Sequence, residues 1–108
     1  MPIPDRLRPI LTELKRGLQE IYGERLRAVV LFGSQARGDA AEDSDVDVAV
    51  VLDDFESAIT ESWRMDRVFS PLSLEHDLLL TALPVREKDW TAGERLIMRN
   101  LRLEGVAV

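Results

Sequence analysis

The sequence predicts a layered α/β or α+β fold, with helices packed on a small β-sheet. Three observations carry that expectation. Apolar residues recur at helical spacing near both ends of the chain and again after residue 54. The stretches at 28–32, 46–52 and 74–83 read as strands, the first a buried apolar run and the second nearly all apolar after its first residues. The resulting order is helix, strand, turn, strand, helix, strand, helix, which is the pattern of a layered domain.

The first helix places Leu7, Ile10, Leu11, Leu14, Leu18 and Ile21 on one face, with Tyr22 at its end. Asp5 is a fitting N-cap, Pro9 is tolerated near the first turn, and Gly23 marks the stop. Ala28 to Phe32 is a strand that ends at Gly33. Residues 34–44 are polar and punctuated by glycine, and Val46 to Leu52 is the second strand. Asp53-Asp54 then caps a helix over about 55–68, whose buried face carries Phe55, Ile59 and Trp63. Leu74 to Leu83 is a third strand, closed by Pro84. Thr91-Ala92-Gly93-Glu94 has the form of a capping box. Its helix runs through Leu96, Ile97, Leu101 and Leu103 to a C-cap at Gly105, and Val106-Ala107-Val108 is left to pair with a sheet edge. Trp63 and Trp90 read as packing residues, and His76 as a packed or surface histidine rather than a ligand.

The 108 residues suit one domain spanning 1–108, without repeats or low-complexity tracts. There is no cysteine, so disulfides and thiolate metal sites are excluded and a reducing cytoplasm is expected. No apolar run approaches the roughly 18 residues of a membrane span, and the first residues lack a signal peptide's apolar core. The net charge of -6 argues against stable nucleic-acid binding. The excess is concentrated. Residues 28–54 hold seven acidic groups and one basic group, Arg37. A solvated loop or a cation site would both produce this, and the residue order decides between them.

Phe32-Gly33-Ser34-Gln35-Ala36-Arg37-Gly38 follows the first strand, and Ser44-Asp45-Val46-Asp47 opens the second. Side chains two apart on a strand share a face, so Asp45 and Asp47 stand side by side and call for a cation or a shared proton. With oxygen ligands and no nearby His or Cys, that cation is Mg²⁺ or Mn²⁺ rather than zinc. A glycine after a strand lets backbone N–H groups turn toward an anion. Ser34, placed at the start of a helical turn, has an N–H and a hydroxyl suited to phosphate. Gly38 ends the turn. Arg37 either touches phosphate or pairs with Asp39 or Asp43. Each half is weak by itself. Four fixed residues at this spacing match by chance at about 10⁻³ to 10⁻² in such a chain.

The combined run resembles the G-S-x10-D-x-D signature of the DNA polymerase beta-like nucleotidyltransferases, and its fuller form resembles their minimal (MNT) branch. The closing Arg99-Asn100-Leu101-Arg102-Leu103-Glu104-Gly105-Val106 is similar to that branch as well. The resemblance implies a small mixed sheet with helices on it. It implies two Mg²⁺ ions, with Mn²⁺ as a substitute, held by Asp45, Asp47 and a third carboxylate on the next strand. Asp77 is the natural candidate for that carboxylate and Glu75 its competitor. It also implies that Gly33, Ser34, Arg37, Gly38 and Ser44 bind the nucleotide, ATP or another NTP.

Minimal nucleotidyltransferases resemble the antitoxin half of HEPN–MNT toxin–antitoxin pairs. The implied reaction is transfer of AMP from ATP to a hydroxyl, a tyrosine, of a HEPN toxin, with release of pyrophosphate, in a type VII-like antitoxin. A hetero-oligomer with that toxin is then expected. The alternatives are an antitoxin that neutralises by binding without catalysis, and a transferase acting on a small molecule or an RNA end.

Overall fold

The computed structural model describes residues 3–38, 45–92 and 96–108. A 3-10 turn at Asp5–Leu7 leads into α1 (Arg8–Tyr22), and β1 (Leu26–Phe32) follows a second such turn. A four-residue helix, α2 (Ser34–Arg37), stands between β1 and β2 (Val46–Leu52). Helix α3 (Ala58–His76) crosses to β3 (Leu80–Arg86), and α4 (Glu87–Ala92), α5 (Leu96–Glu104) and β4 (Val106–Ala107) complete the order. The sheet order is β3-β2-β1-β4. β1 runs antiparallel to β2 and β4, while β2 and β3 are parallel, so the sheet is mixed as expected. The parallel pair requires a crossover, and α3 supplies it.

Strand alternation divides the apolar residues between two faces. Val46, Val48, Val50 and Leu52 pack with Val29, Leu31 and Leu80 under α1 and α3. Ile10, Leu11, Leu14 and Leu18 from α1 and Met65, Phe69 and Leu72 from α3 fill this larger core. On the opposite face Val30, Ala49, Val51 and Val85 meet Met98 and Leu101 of α5. Asp45 and Asp47 continue the second face beyond Ala49.

Several expectations need correction. Asp5 does not cap α1, which has no side-chain cap; it pairs with Arg8 at 3.2 Å instead. Helix α3 starts from Ser57, whose side chain accepts the Thr60 N–H, not from Asp53-Asp54. Its buried residues are Glu61, Met65, Phe69 and Leu72, whereas Ile59 and Trp63 are 65% and 72% exposed. Phe55 precedes the helix. Leu74 to His76 are helical, so the third strand begins at Leu80 and carries Pro84 inside it. Proline is tolerated there because β3 is an edge strand. Leu103 is exposed, and Gly93 and Glu94 of the capping box lie outside the described residues. The final residues do pair with a sheet edge, since Val106 and Ala107 add to β1.

Candidate active site

The β1–β2 register sets Phe32 opposite Asp47, so the residue after Phe32 arrives beside the Asp47 carboxylate. That residue is Gly33, at φ 73° and ψ -155°, where side chains are rarely found. A Cβ built on it would lie 2.5 Å from Asp47 Oδ2. Conformation and close approach therefore both demand glycine. Ser34, half-buried, opens α2, whose first bonds run from Arg37 N–H to Gly33 O and from Gly38 N–H to Ser34 O. Gly38 closes it in the left-handed region at φ 80°. Two buried residues anchor this corner. Ala36 joins the larger core, and Gln35 Oε1 accepts a 3.1 Å hydrogen bond from Arg6.

Arg37 is exposed and its Nη1 lies 3.6 Å from Glu104 Oε2 at the end of α5. Phe32, Gly33, Arg37, Asn100, Leu101 and Glu104 line a cavity of about 220 Å³ next to the glycine turn. Ser44 lies outside the described residues, as do Asp39 and Asp43. Asp45, just ahead of β2, is exposed, and Asp47, on β2, is half-buried. Across the β2–β3 ladder Asp47 is level with Thr81, whose Oγ1 donates to Asp47 Oδ1 at 2.6 Å.

The expected strand position of Asp77 is overturned. Glu75 and His76 end α3, and Asp77 is its C-cap at φ 51°, with its N–H bonded to Ser73 O. The chain has to reverse from helix to strand here, and aspartate tolerates the left-handed conformation that does so. Asp77 thus precedes β3 at the end of the sheet where Asp45 lies, but it is exposed. Asp45, Asp47 and Asp77 do not gather into one cluster. Among the described residues, the group of three whose ligand atoms lie within 4.8 Å of one another is Glu13, Glu75 and His76, exposed on α1 and α3. The β3 position that faces Asp47 belongs to Thr81.

Residues 11–100 match the family described as "Nucleotidyltransferase domain". The chain belongs to this family. It is 35% identical over 74 residues to a candidate protein adenylyltransferase of Methanocaldococcus jannaschii, a stretch covering 68% of this chain and 74% of that one. It is 34% identical over 76 residues to the protein adenylyltransferase MntA of Thermococcus cleftensis, covering 70% and 75%. A candidate nucleotidyltransferase from Sulfolobus solfataricus shares the fold at a TM-score of 0.68 and 17% identity, over 94% of this chain and 78% of that one. So does a chain of a toxin–antitoxin complex crystallised with AMP-PNP, at a TM-score of 0.60 and 19% identity, over 87% and 68%.

In this minimal nucleotidyltransferase the donors at the β2 corner are all oxygen: the carboxylates of Asp45 and Asp47 and the hydroxyls of Ser34 and Thr81. The single histidine of the chain, His76, belongs to the other group, and there is no cysteine. The set fits a hard divalent cation. Any side chain at Gly33 would collide with Asp47 Oδ2, so only glycine leaves the space beside that oxygen unfilled. Thr81, Asn100 and Glu104 were not singled out from the sequence as site residues. Thr81 has no motif to mark it, and only the strand register brings it to Asp47. Asn100 and Glu104 stand in the closing segment that resembles the family, without a pattern that assigns them a role.

Proposed function

We propose that the chain transfers AMP from ATP to a hydroxyl of a partner protein, a tyrosine of a HEPN-fold toxin, and so acts as an antitoxin. The observation that carries this reading is the approach of Gly33 to the Asp47 carboxylate, which joins the phosphate turn to the acid pair. The adenylyltransferase names of the sequence relatives support AMP as the group moved. The toxin–antitoxin complex with AMP-PNP supports the nucleotide and the class of partner. Asp45 and Asp47 would hold Mg²⁺, with Asp77 as a third carboxylate from the turn ahead of β3. Bound Mg²⁺ offsets the triphosphate charge and lowers the pKa of the acceptor hydroxyl. Gly33 and Ser34 hold the outer phosphates, and Arg37 and Gly38 border them. The acceptor oxygen attacks the α-phosphorus, the bond to the β-phosphate oxygen breaks, and pyrophosphate leaves as the acceptor proton passes to a carboxylate or water.

The test is to purify the chain with its HEPN-fold partner, add α-labelled ATP and Mg²⁺, and look for label on the partner. Label that disappears in Asp45→Asn/Asp47→Asn supports the reading, and its absence with all four NTPs overturns it. A second reading, neutralisation by binding without transfer, is favoured by one observation: Asp77 does not join the acid pair. Full neutralisation by the double variant would select it. Asp77→Asn decides whether that residue contributes to transfer.

A further inference from the structure

The two oxygens of Asp47 have different neighbours. Oδ1 accepts the Thr81 hydroxyl at 2.6 Å, a length typical of an O–H donor on a charged carboxylate. Oδ2 faces Gly33, at the place a Cβ would fill. The terminal torsion of an aspartate is broad and twofold, so an unrestrained carboxylate exchanges its oxygens freely. A hydroxyl held on the adjacent strand removes that freedom. The backbone of Thr81 is held level with Asp47 in an unbroken parallel ladder from Leu80 to Arg86.

We propose that Thr81 is a positioning residue: it holds Asp47 Oδ1 so that Oδ2, beside Gly33, is the oxygen offered to the divalent cation of a metal–nucleotide complex. This rests on the reading that Asp45 and Asp47 hold that cation. Thr81 works through Asp47 and needs no contact with the nucleotide. A carboxylate at this register position would repel Asp47 until a cation arrived, whereas a hydroxyl donor keeps the carboxylate oriented before binding. The arrangement is preorganisation of a ligand by its hydrogen-bond partner, a contribution that commonly amounts to about 10-fold to 100-fold in metal affinity.

The experiment uses the full chain and Mn²⁺ with ATP, followed by the EPR signal of free Mn²⁺. Thr81→Val keeps the branched strand-forming shape and loses the hydroxyl, Thr81→Ala loses the hydroxyl and bulk, and Thr81→Ser keeps the hydroxyl. The expected result is Mn²⁺–ATP binding weakened about tenfold or more in T81V and T81A, and within about threefold of wild type in T81S. Thermal unfolding without metal reports whether each variant is folded, and T81A is read where T81V is not. Wild-type binding in the folded variants that lack the hydroxyl overturns the proposal. So does equal weakening in T81S, which would assign the effect to shape. Asp47→Asn separates the two levels. If D47N binds as wild type does, the metal-site reading falls and this proposal with it. If D47N loses binding and the hydroxyl-free variants do not, only the positioning role falls.

Discussion

Strand β2 has a pair of aspartates at each end, and the two pairs live in opposite surroundings. After the strand, Asp53 meets Arg25 at 3.0 Å and Asp54 meets Arg86 at 3.3 Å. Asp53 also accepts the Asp54 N–H, and Asp54 accepts the Phe55 N–H. The Asp54 N–H first, and then Arg25, hold the Asp53 carboxyl below the usual carboxylate range. At the start of the strand, Asp45 and Asp47 meet no basic side chain among the described residues, and Asp47 accepts from a neutral hydroxyl, that of Thr81. One pair is charge-matched and closes a turn. The other has no such ion pair among the described residues, as a site for a cation would.

The largest effect should come from exchanging charge for amide at each end. Asp47→Asn should lower AMP transfer by about 10²-fold to 10³-fold, without lowering metal-free thermal stability by more than the loss of one hydrogen bond. Asp53→Asn should leave transfer unchanged and lower stability slightly, in a manner that disappears at high salt. Labelled-AMP incorporation and thermal unfolding measure both. Equal losses of transfer in the two variants would break the contrast between the pairs.

Gly33→Ala probes the cradle at the uncompensated end. The added Cβ meets Asp47 Oδ2 and forces a positive φ on alanine. The expected cost is about 2 kcal/mol in a urea melt, together with loss of ATP binding. A variant that keeps wild-type stability and binding would show that the turn is looser than its geometry implies. The same substitution at Gly23, which also has a positive φ but nothing within 4 Å of its Cβ position, should cost stability without touching binding.

The contrast between the ends of β2 also separates what local sequence reveals from what it conceals. Gly33-Ser34 and Asp45-x-Asp47 stand at the facing ends of the antiparallel neighbours β1 and β2, so residues close in sequence are also close in space. The strand at Val46–Leu52 is legible too, because Val48 to Leu52 is a continuous apolar run buried on both faces. Helix α3 is not. Phe55, Ile59 and Trp63 repeat at four-residue steps as well as Glu61, Met65 and Phe69 do, and the first set has the greater hydrophobicity. The true face includes a buried glutamate, whose acceptance depends on Tyr22, 39 residues away. Leu74 to Leu80 is leucine-rich enough for either helix or strand, and the αL turn at Asp77 that divides them leaves no apolar signature. Thr81 became a site residue only through the β2–β3 register.

A smaller effect than that of Gly33→Ala is expected at the compensated end, where Tyr22 donates a 2.9 Å hydrogen bond to Glu61 and Arg25 lies over the Tyr22 ring. Burial first, and then the hydrogen bond to Glu61 and its charge, push the Tyr22 hydroxyl well above its ordinary value of 10.0, while Arg64 and Arg25 oppose the shift. The folded chain therefore keeps a proton that the unfolded chain releases near pH 10. Stability from this group is fully present below that pH and is lost as pH rises beyond it. The chain has one tyrosine, so its tyrosinate absorbance reports this group without ambiguity. Tyrosinate should appear together with unfolding, not before it. Tyr22→Phe should cost about 1.5 kcal/mol at neutral pH, because Glu61 then retains Arg64 at 3.3 Å but loses its buried donor. It should also flatten the alkaline fall in stability. Tyrosinate forming near pH 10 in a chain that is still folded by circular dichroism would show that this end is not sealed by the Tyr22–Glu61 bond.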